Sequence, residues 1–135
     1  MSFLACAAAI KARWATYWTH TSTAYDNSVF TPGINASWVR LTVRSGNAMQ
    51  VTLGPQSRDR HTGVVIAQIF VPFLQGEDRA RWLEDRASTI FRKVNIPVSG
   101  GEIVFSVPYP VEAELSGDDW FQMNVNCPYR FDILS

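Results

Sequence analysis

The sequence predicts a single α+β domain, with a mainly antiparallel sheet packed with two helices in the order α-β-β-β-α-β-β. Three observations carry this reading. Two segments place apolar residues at three- and four-residue steps, and several shorter ones alternate apolar with polar residues. The whole chain, residues 1–135, is also the size of one compact domain and too short for two ordinary ones.

The first helix is predicted over residues 2–19, where Phe3, Cys6, Ala7, Ile10, Trp14, Tyr17 and Trp18 share a face and the alanines favour helix. Residues 20–37 follow as a polar stretch rich in Thr, Ser and Asn, without periodicity, and read as a long loop or binding arm. In 38–44, Val39, Leu41 and Val43 alternate with Trp38, Arg40, Thr42 and Arg44, as in a half-buried strand. Ser45-Gly46-Asn47-Ala48 reads as a hairpin turn into a second strand carrying Met49, Val51 and Leu53. Residues 54–61 have turn chemistry and charge, so they are expected to form an exposed hairpin tip. Residues 63–71 are apolar on both faces, as in a central strand, and Pro72 ends it.

The second helix is predicted from Glu77 to Val94. Ala80, Leu83, Ala87, Ile90, Phe91 and Val94 form its stripe, acids open it, and Arg92-Lys93 close it against the dipole. Gly100-Gly101 turns into a strand at Ile103–Val107, and residues 108–119 read as a loop bearing Pro and acids. In the last strand Phe121, Met123, Val125 and Cys127 alternate with Gln122, Asn124 and Asn126, which points Cys127 inward as an inert thiol.

Composition narrows the function. Apolar residues are 47% of the chain and charged residues only 18%, below the usual quarter. Lys plus Arg balances Asp plus Glu at 12 each, which argues against a generic nucleic-acid binder and against a polybasic membrane anchor. Few charges, 13% aromatics and no net charge suggest a surface meant to be covered. Ten of the twelve cations are Arg, which fits either genome composition or interface use, where Arg is enriched and Lys depleted. Cys6 and Cys127 fit no metal or redox spacing, so free thiols in a reducing compartment are expected. Residues 2–10 imitate a signal-peptide core, but Lys11 and Arg13 follow it rather than precede it. A soluble intracellular protein is therefore expected, in which the Asn35-Ala36-Ser37 sequon is chance.

A search for chemistry comes back empty. Ser57, Asp59 and His61 alternate and so share a face, but on an expected hairpin tip nothing would exclude water or hold geometry. Asp118-Asp119, Glu84-Asp85 and Glu77-Asp78 are explained by turns, solubility and the helix dipole. No phosphate loop, dinucleotide fingerprint or metal spacing is present in the sequence.

Interaction signals are stronger. On the second helix Trp82 falls roughly 130° from the apolar stripe, among Asp85, Arg86 and Thr89, with Lys93 further along. A Trp in a polar helix face calls for cover, either by a partner, where Trp with Arg is a common hot-spot pairing, or by the chain's own 20–37 stretch. Trp38 and Trp120 sit on the polar registers of their strands, where they meet a partner or pack beneath the first helix. Arg58, Asp59, Arg60 and His61 on the tip form a second candidate, able to reach another subunit or line a channel.

These residues fall in an order that resembles the tail terminator (tail completion) proteins of long-tailed, lambda-like phages. The shared pattern runs through Trp38-Val39-Arg40, the strand end Gln50 to Gly54, and Arg60-His61-Thr62-Gly63 opening the long strand. It continues with Ile69-Phe70-Val71-Pro72, Gly76, a helix carrying Ala80, Ala87 and Phe91, then Trp120, Val125 and a Tyr129-Arg130 ending. Tyr25-Asp26-Asn27 and Phe30-Thr31-Pro32 echo the family's linker. The resemblance covers nearly the whole chain and is best from about residue 38 to 132.

The resemblance implies a small subunit that forms a hexameric ring, caps the tail tube, ends its polymerisation and presents a surface to the head connector. Its partners would be further copies of itself, the major tail tube protein and the connector. DNA would pass through the lumen without specific binding. It implies no cofactor and no catalytic residue, and a place in the virion tail at the head-proximal end, after assembly in the host bacterial cytoplasm. Another neck component, such as a head-completion or stopper protein, shares the ring logic. A small enzyme or nucleic-acid-binding domain using Arg58, Arg60 and His61 is the remaining alternative.

Overall fold

The structure, a computed structural model, describes residues 2–26, 30–31, 36–50, 58–72, 76–116 and 120–134. Its first helix, α1 (Phe3–Tyr17), begins where the Ser2 hydroxyl accepts a hydrogen bond from the Ala5 amide at 3.1 Å, which satisfies one of the free amides of the first turn. Cys6, Ile10 and Trp14 recur every four residues and are buried; Trp18, just past the helix, joins them. Phe3 and Tyr17, expected on the same face, are instead more than half exposed at 55% and 57%.

The polar stretch after α1 is not all loop. Ser22–Tyr25 forms β1, which pairs in parallel with β2 (Trp38–Gln50). The hairpin expected at Ser45–Ala48 is also absent: β2 runs through it as one strand, with an irregularity between Ser45 and Ala48. Gly46 and Asn47 face Thr62 alone there, so the one extra residue makes a bulge within the strand rather than a reversal. A Cβ on Gly46 would lie 3.0 Å from the Thr62 carbonyl oxygen, a tight contact that Gly avoids. Val51 and Leu53 of the second strand expected after this turn, and the first half of the expected tip, fall within 51–57, outside the described residues.

β3 (Arg58–Pro72) is the spine of the sheet. It pairs antiparallel with β2 on one side and along its full length with β7 (Trp120–Leu134) on the other. Asp59, Arg60 and His61 are therefore strand residues with neighbours on both edges, and Arg58 pairs with Leu134 of β7. α2 (Gly76–Phe91) starts with Glu77 and Asp78 in its first turn and ends three residues earlier than predicted. Lys93 adopts a φ of 51°, a left-handed conformation that reverses the chain into β4 (Asn95–Val98), so it does not extend the helix.

β4 and β5 (Gly101–Phe105) form a hairpin across Gly100, whose φ is 89°. β6 (Tyr109–Ser116) occupies the stretch expected to be a loop. The sheet order is β1-β2-β3-β7-β5-β4, with β6 pairing the N-terminal half of β7. The predicted class and order thus hold: two helices, three strands before the second of them, a mostly antiparallel sheet and a single domain. β4 and β6 add to the strands expected after α2.

Both helices pack on one face of the sheet. Val39, Leu41, Val65, Ala67, Ile69, Met123 and Val125 meet Cys6, Ile10 and Trp14 of α1 and Leu83, Ala87 and Phe91 of α2. Trp14 stacks on Trp18 at 4.6 Å between ring centres, and Phe91 on Phe105 at 4.6 Å. The other face carries a small second cluster in which Trp38 stacks on Phe70 at 4.1 Å beside Ala24, Phe30 and Trp120. Trp38 and Trp120 are covered there by their own chain, on the opposite face of the sheet from α1.

Candidate interaction surface

The sequence's two candidate regions differ once placed. In the first, β3 and β7 run side by side, and their register sets Arg60 opposite Asp132. Arg60 donates to Asp132 through Nε at 3.0 Å and through its terminal nitrogen at 3.3 Å, and Arg58 lies 3.8 Å from the same carboxylate. The Arg60 hydrogen bond, reinforced by the charges of Arg60, Arg58 and Arg130, holds the Asp132 carboxyl below its ordinary range. His61 points the other way, between Phe3 at 5.0 Å and Phe131 at 5.4 Å. That packing positions an aromatic ring and supplies no nucleophile to activate. Asp59 lies opposite Ile133 and Gln50, and Ser57, its expected partner in the alternating set, is outside the described residues.

The second region is the outer face of α2. Trp82 is 38% exposed, and the guanidinium carbons of Arg79 and Arg86 each lie 5.0 Å from its ring centre. The cause is local: Arg79 is three residues before Trp82 and Arg86 four after, so helical geometry brings both alongside the indole. His20, just beyond α1, meets the same ring edge-on at 4.9 Å and also touches Trp18 at 5.1 Å. The cover the sequence expected from the 20–37 stretch therefore comes in part from His20 at its start.

Next to this lies a shallow depression of about 380 Å³ lined by Arg13, Tyr17, His20, Arg86, Thr89 and Ile90. Arg13 bridges the helices by donating to the Ile90 carbonyl at 2.7 Å, and stacks over Tyr17 at 4.5 Å. Thr89 turns its hydroxyl back to the Arg86 carbonyl at 2.8 Å. Lys93 stands apart, beyond the end of the helix, and its amide donates to the Ser106 carbonyl at 3.1 Å. The structure thus brings Trp82, Arg86 and Thr89 together and leaves Lys93 outside. Arg79, His20, Arg13 and Tyr17 were missed by the sequence reading, although the three-residue step from Arg79 to Trp82 was there to be read.

The electrostatics of this face are unusual in one respect. Among the described residues neither Arg79 nor Arg86 makes an ion pair, although Asp78 and Asp85 stand nearby on the same helix. Both guanidiniums are held by the indole instead, which leaves their N–H edges open to an acceptor.

The two buried cysteines are held as thiols. Burial pushes the Cys127 thiol up to about 12 and the Cys6 thiol up to about 11, as expected of an inward-facing cysteine. No cluster of His, Cys, Asp or Glu suited to a metal occurs among the described residues. No helix among them is long and apolar enough to cross a membrane.

Comparison with known proteins gives three results. Among the solved structures that the chain resembles, one aligns with a TM-score of 0.75 at 18% identity, covering 100% of this chain and 96% of the other, and so shares the fold. No curated protein matches the chain in sequence. A family model described as "Phage tail terminator protein" matches residues 5–129, and the chain belongs to that family of structural components of the phage tail.

Proposed function

We propose that this protein assembles into a homohexameric ring that caps the head-proximal end of the tail tube. The ring stops polymerisation of the tube protein and offers its other side to the head connector. The observation that carries this reading is the family match across residues 5–129, which spans both helices and most of the sheet.

The surface chemistry supports it. A closed ring built head to tail needs two different surfaces on each subunit, because one copy's projecting patch must meet a different receiving patch on the next. The Arg79–Trp82–Arg86 face of α2 has the composition of such a patch, with an aromatic anchor flanked by guanidiniums. A formal net charge of zero suits chains that pack against copies of themselves while DNA passes through the lumen without specific binding. Assembly in the host cytoplasm fits two buried, unpaired cysteines.

The test is assembly followed by capping. Purified protein is expected at six times the single-chain mass by light scattering and as rings in negative stain. Added to elongating tail-tube protein, it is expected to halt growth and sit at one end of each tube. Rings that bind the connector yet leave tubes growing would identify a different neck component instead.

A further inference from the structure

We propose that the end of the sheet where β2, β3 and β7 present Arg44, Arg58, Arg60 and Arg130 is a docking surface for the phosphate backbone of duplex DNA. For its place in the particle the inference rests on the ring reading above, which then turns this end of the sheet toward the lumen.

Strand alternation collects these arginines on one face. Val43, Val65, Tyr129 and Phe131 turn to the core beneath the helices, and His61 meets Phe3 of α1 on the same side. Arg44, Arg58, Arg60 and Arg130 hold the intervening positions, so they stand on the face without helices. The register also keeps them close. Arg44 lies opposite Val64 and Arg130 opposite Thr62, with Arg60 and Arg58 on the next two rows of β3. From Val64 to Arg58 these rows cover roughly 20 Å of strand.

This end is positive although the formal net charge of the chain is zero. Arg58, Arg60 and Asp132 are closed on one another and together keep one positive charge. Arg44 and Arg130, both exposed, add two, and Glu102, next to the core-facing Ile103 on β5, takes one away. Further along the face one acid, Asp26 bonded by Thr42 at 3.1 Å, is matched by one arginine, Arg40. The other acids lie elsewhere. Glu77, Asp78, Glu84 and Asp85 are on α2, and β6 enters at the far end of the sheet, where Glu114 pairs with Gln122.

The form of the surface points to phosphate. A cleft of about 300 Å³ opens in it, lined by Arg58, Arg60, Arg130 and the Gly100-Gly101 turn, whose lack of side chains allows a bulky group to come close. Guanidinium forks match phosphate oxygens. Among the described residues no aromatic ring stands at this end of the face, so the bases of a single strand find no platform to stack on. Met49, opposite Arg60, is the one large apolar side chain exposed there, at 63%, whereas a subunit contact centres on aromatic anchors. Contacts to phosphate alone read no sequence, as the passage of DNA of any sequence requires.

DNA binding measured beside oligomeric mass tests the inference. Wild type is expected to bind a short fluorescent duplex of random sequence at low salt as well as one of fixed sequence, and to lose affinity steeply as salt rises. Arg44→Gln with Arg130→Gln is expected to keep the wild-type mass and circular dichroism while binding about tenfold more weakly, with a salt slope shallower by about 2 for each bound subunit. Lys11→Gln with Arg92→Gln removes the same charge from the helix side and is expected to leave binding unchanged. If the first variant does not fold, wild type decides. Bound duplex is then expected to shield Arg44 and Arg130 from phenylglyoxal and to leave the reactivity of Arg79 and Arg86 as it was.

Wild type that binds no duplex at low salt overturns the inference, as do arginines that stay fully reactive under DNA. Equal weakening by the two variants overturns it as well, since affinity then follows total charge and not this face. So does an Arg44→Gln/Arg130→Gln protein that falls to single-chain mass, because its arginines then answer carboxylates of a neighbouring copy. Wild type that binds DNA as expected yet stays at single-chain mass, alone and on tail tubes, supports this surface and removes the ring reading instead.

Discussion

Arginine is used in two ways in this molecule. At the end of β3, Arg58 and Arg60 converge on Asp132, with the shortest contact at 3.0 Å. On α2, Arg79 and Arg86 converge on Trp82, each 5.0 Å from its ring centre. In the first case the charge is answered by a carboxylate of the same chain, and the cluster closes a sheet end. In the second the guanidiniums are positioned but not neutralised. A count of arginines marks both as candidate interfaces, while their partners separate a cluster closed on itself from one left open. The carboxylates differ in the same sense. Asp132 is held below its ordinary range by its arginines, whereas burial pushes Glu84, on α2, above its own.

The largest effect is expected next to the strand end, at Gly63→Ala. A Cβ there would meet the Tyr129 phenol and lie 2.5 Å from the Arg44 carbonyl oxygen. That same phenol donates to the Arg44 oxygen at 3.3 Å, so the new methyl group would displace a contact tying β7 to β2 across β3. A loss of about 3 kcal/mol is expected, typical of severe overpacking, read as a lowered denaturation midpoint. If Ala is tolerated with an unchanged midpoint, this end of the sheet is not the rigid clamp described.

Trp82→Ala comes next, and it separates the two regions. Removing the partly buried indole and its two cation contacts should lower monomer stability by about 1–2 kcal/mol. The chain should remain folded but assemble more weakly, which light scattering across a dilution series would detect. A thermal midpoint that falls while assembly is unchanged would mean that Trp82 serves only its own chain.

How far these regions were legible in sequence depends on how local their causes are. Both helices follow from apolar steps such as Cys6, Ile10, Trp14 and Leu83, Ala87, Phe91, because a helix sets its own period. The long alternation of β7 was legible for the same reason. β1 is four residues of polar composition in a parallel pair, β4 holds Pro97, and β6 holds Pro110 and two glutamates. None of these advertises a strand, since each is specified by pairing with a distant partner. Ser45-Gly46-Asn47-Ala48 satisfies a turn and a bulge equally well in sequence, and its pairing with β3 decides between them. In the same way Trp82 was visible from its angle on the helix, while the pairing of Arg60 with Asp132 was not, because 72 residues separate them.

Asp132→Asn should cost about 1 kcal/mol, since the pair is partly exposed and water screens it. Its pH dependence is more telling than its size. The folded carboxyl titrates below its ordinary value of 3.8, so its contribution is complete above that value and is lost as the pH falls through the lower folded one. Wild type and variant are therefore expected to differ at pH 7 and to converge on the acid side of pH 4, in urea titrations at each pH. A gap that persists in acid would mean that Asp132 contributes packing rather than charge.

Glu84→Gln should produce the smallest change, with the opposite sign. Glu84 is 8% exposed, and its Oε2 has no hydrogen-bond partner among the described residues, with Arg81 at 3.7 Å. Burial is the main cause of its raised titration, Arg81 works against it, and the charge of Asp85 adds to it. A carboxyl raised above its ordinary 4.5 binds its proton more tightly in the folded chain than in the unfolded one, so its charged form costs stability at neutral pH. That cost fades as the pH falls through the folded value and is gone below 4.5. Glutamine removes the charge while keeping the shape, so the variant should be more stable than wild type at pH 7 by under about 1 kcal/mol and equal to it in acid. A variant less stable at pH 7 would show that the Arg81 contact outweighs burial. Glu84 would then resemble Asp132, and the contrast between the strand end and the helix would narrow to the guanidiniums stacked on Trp82.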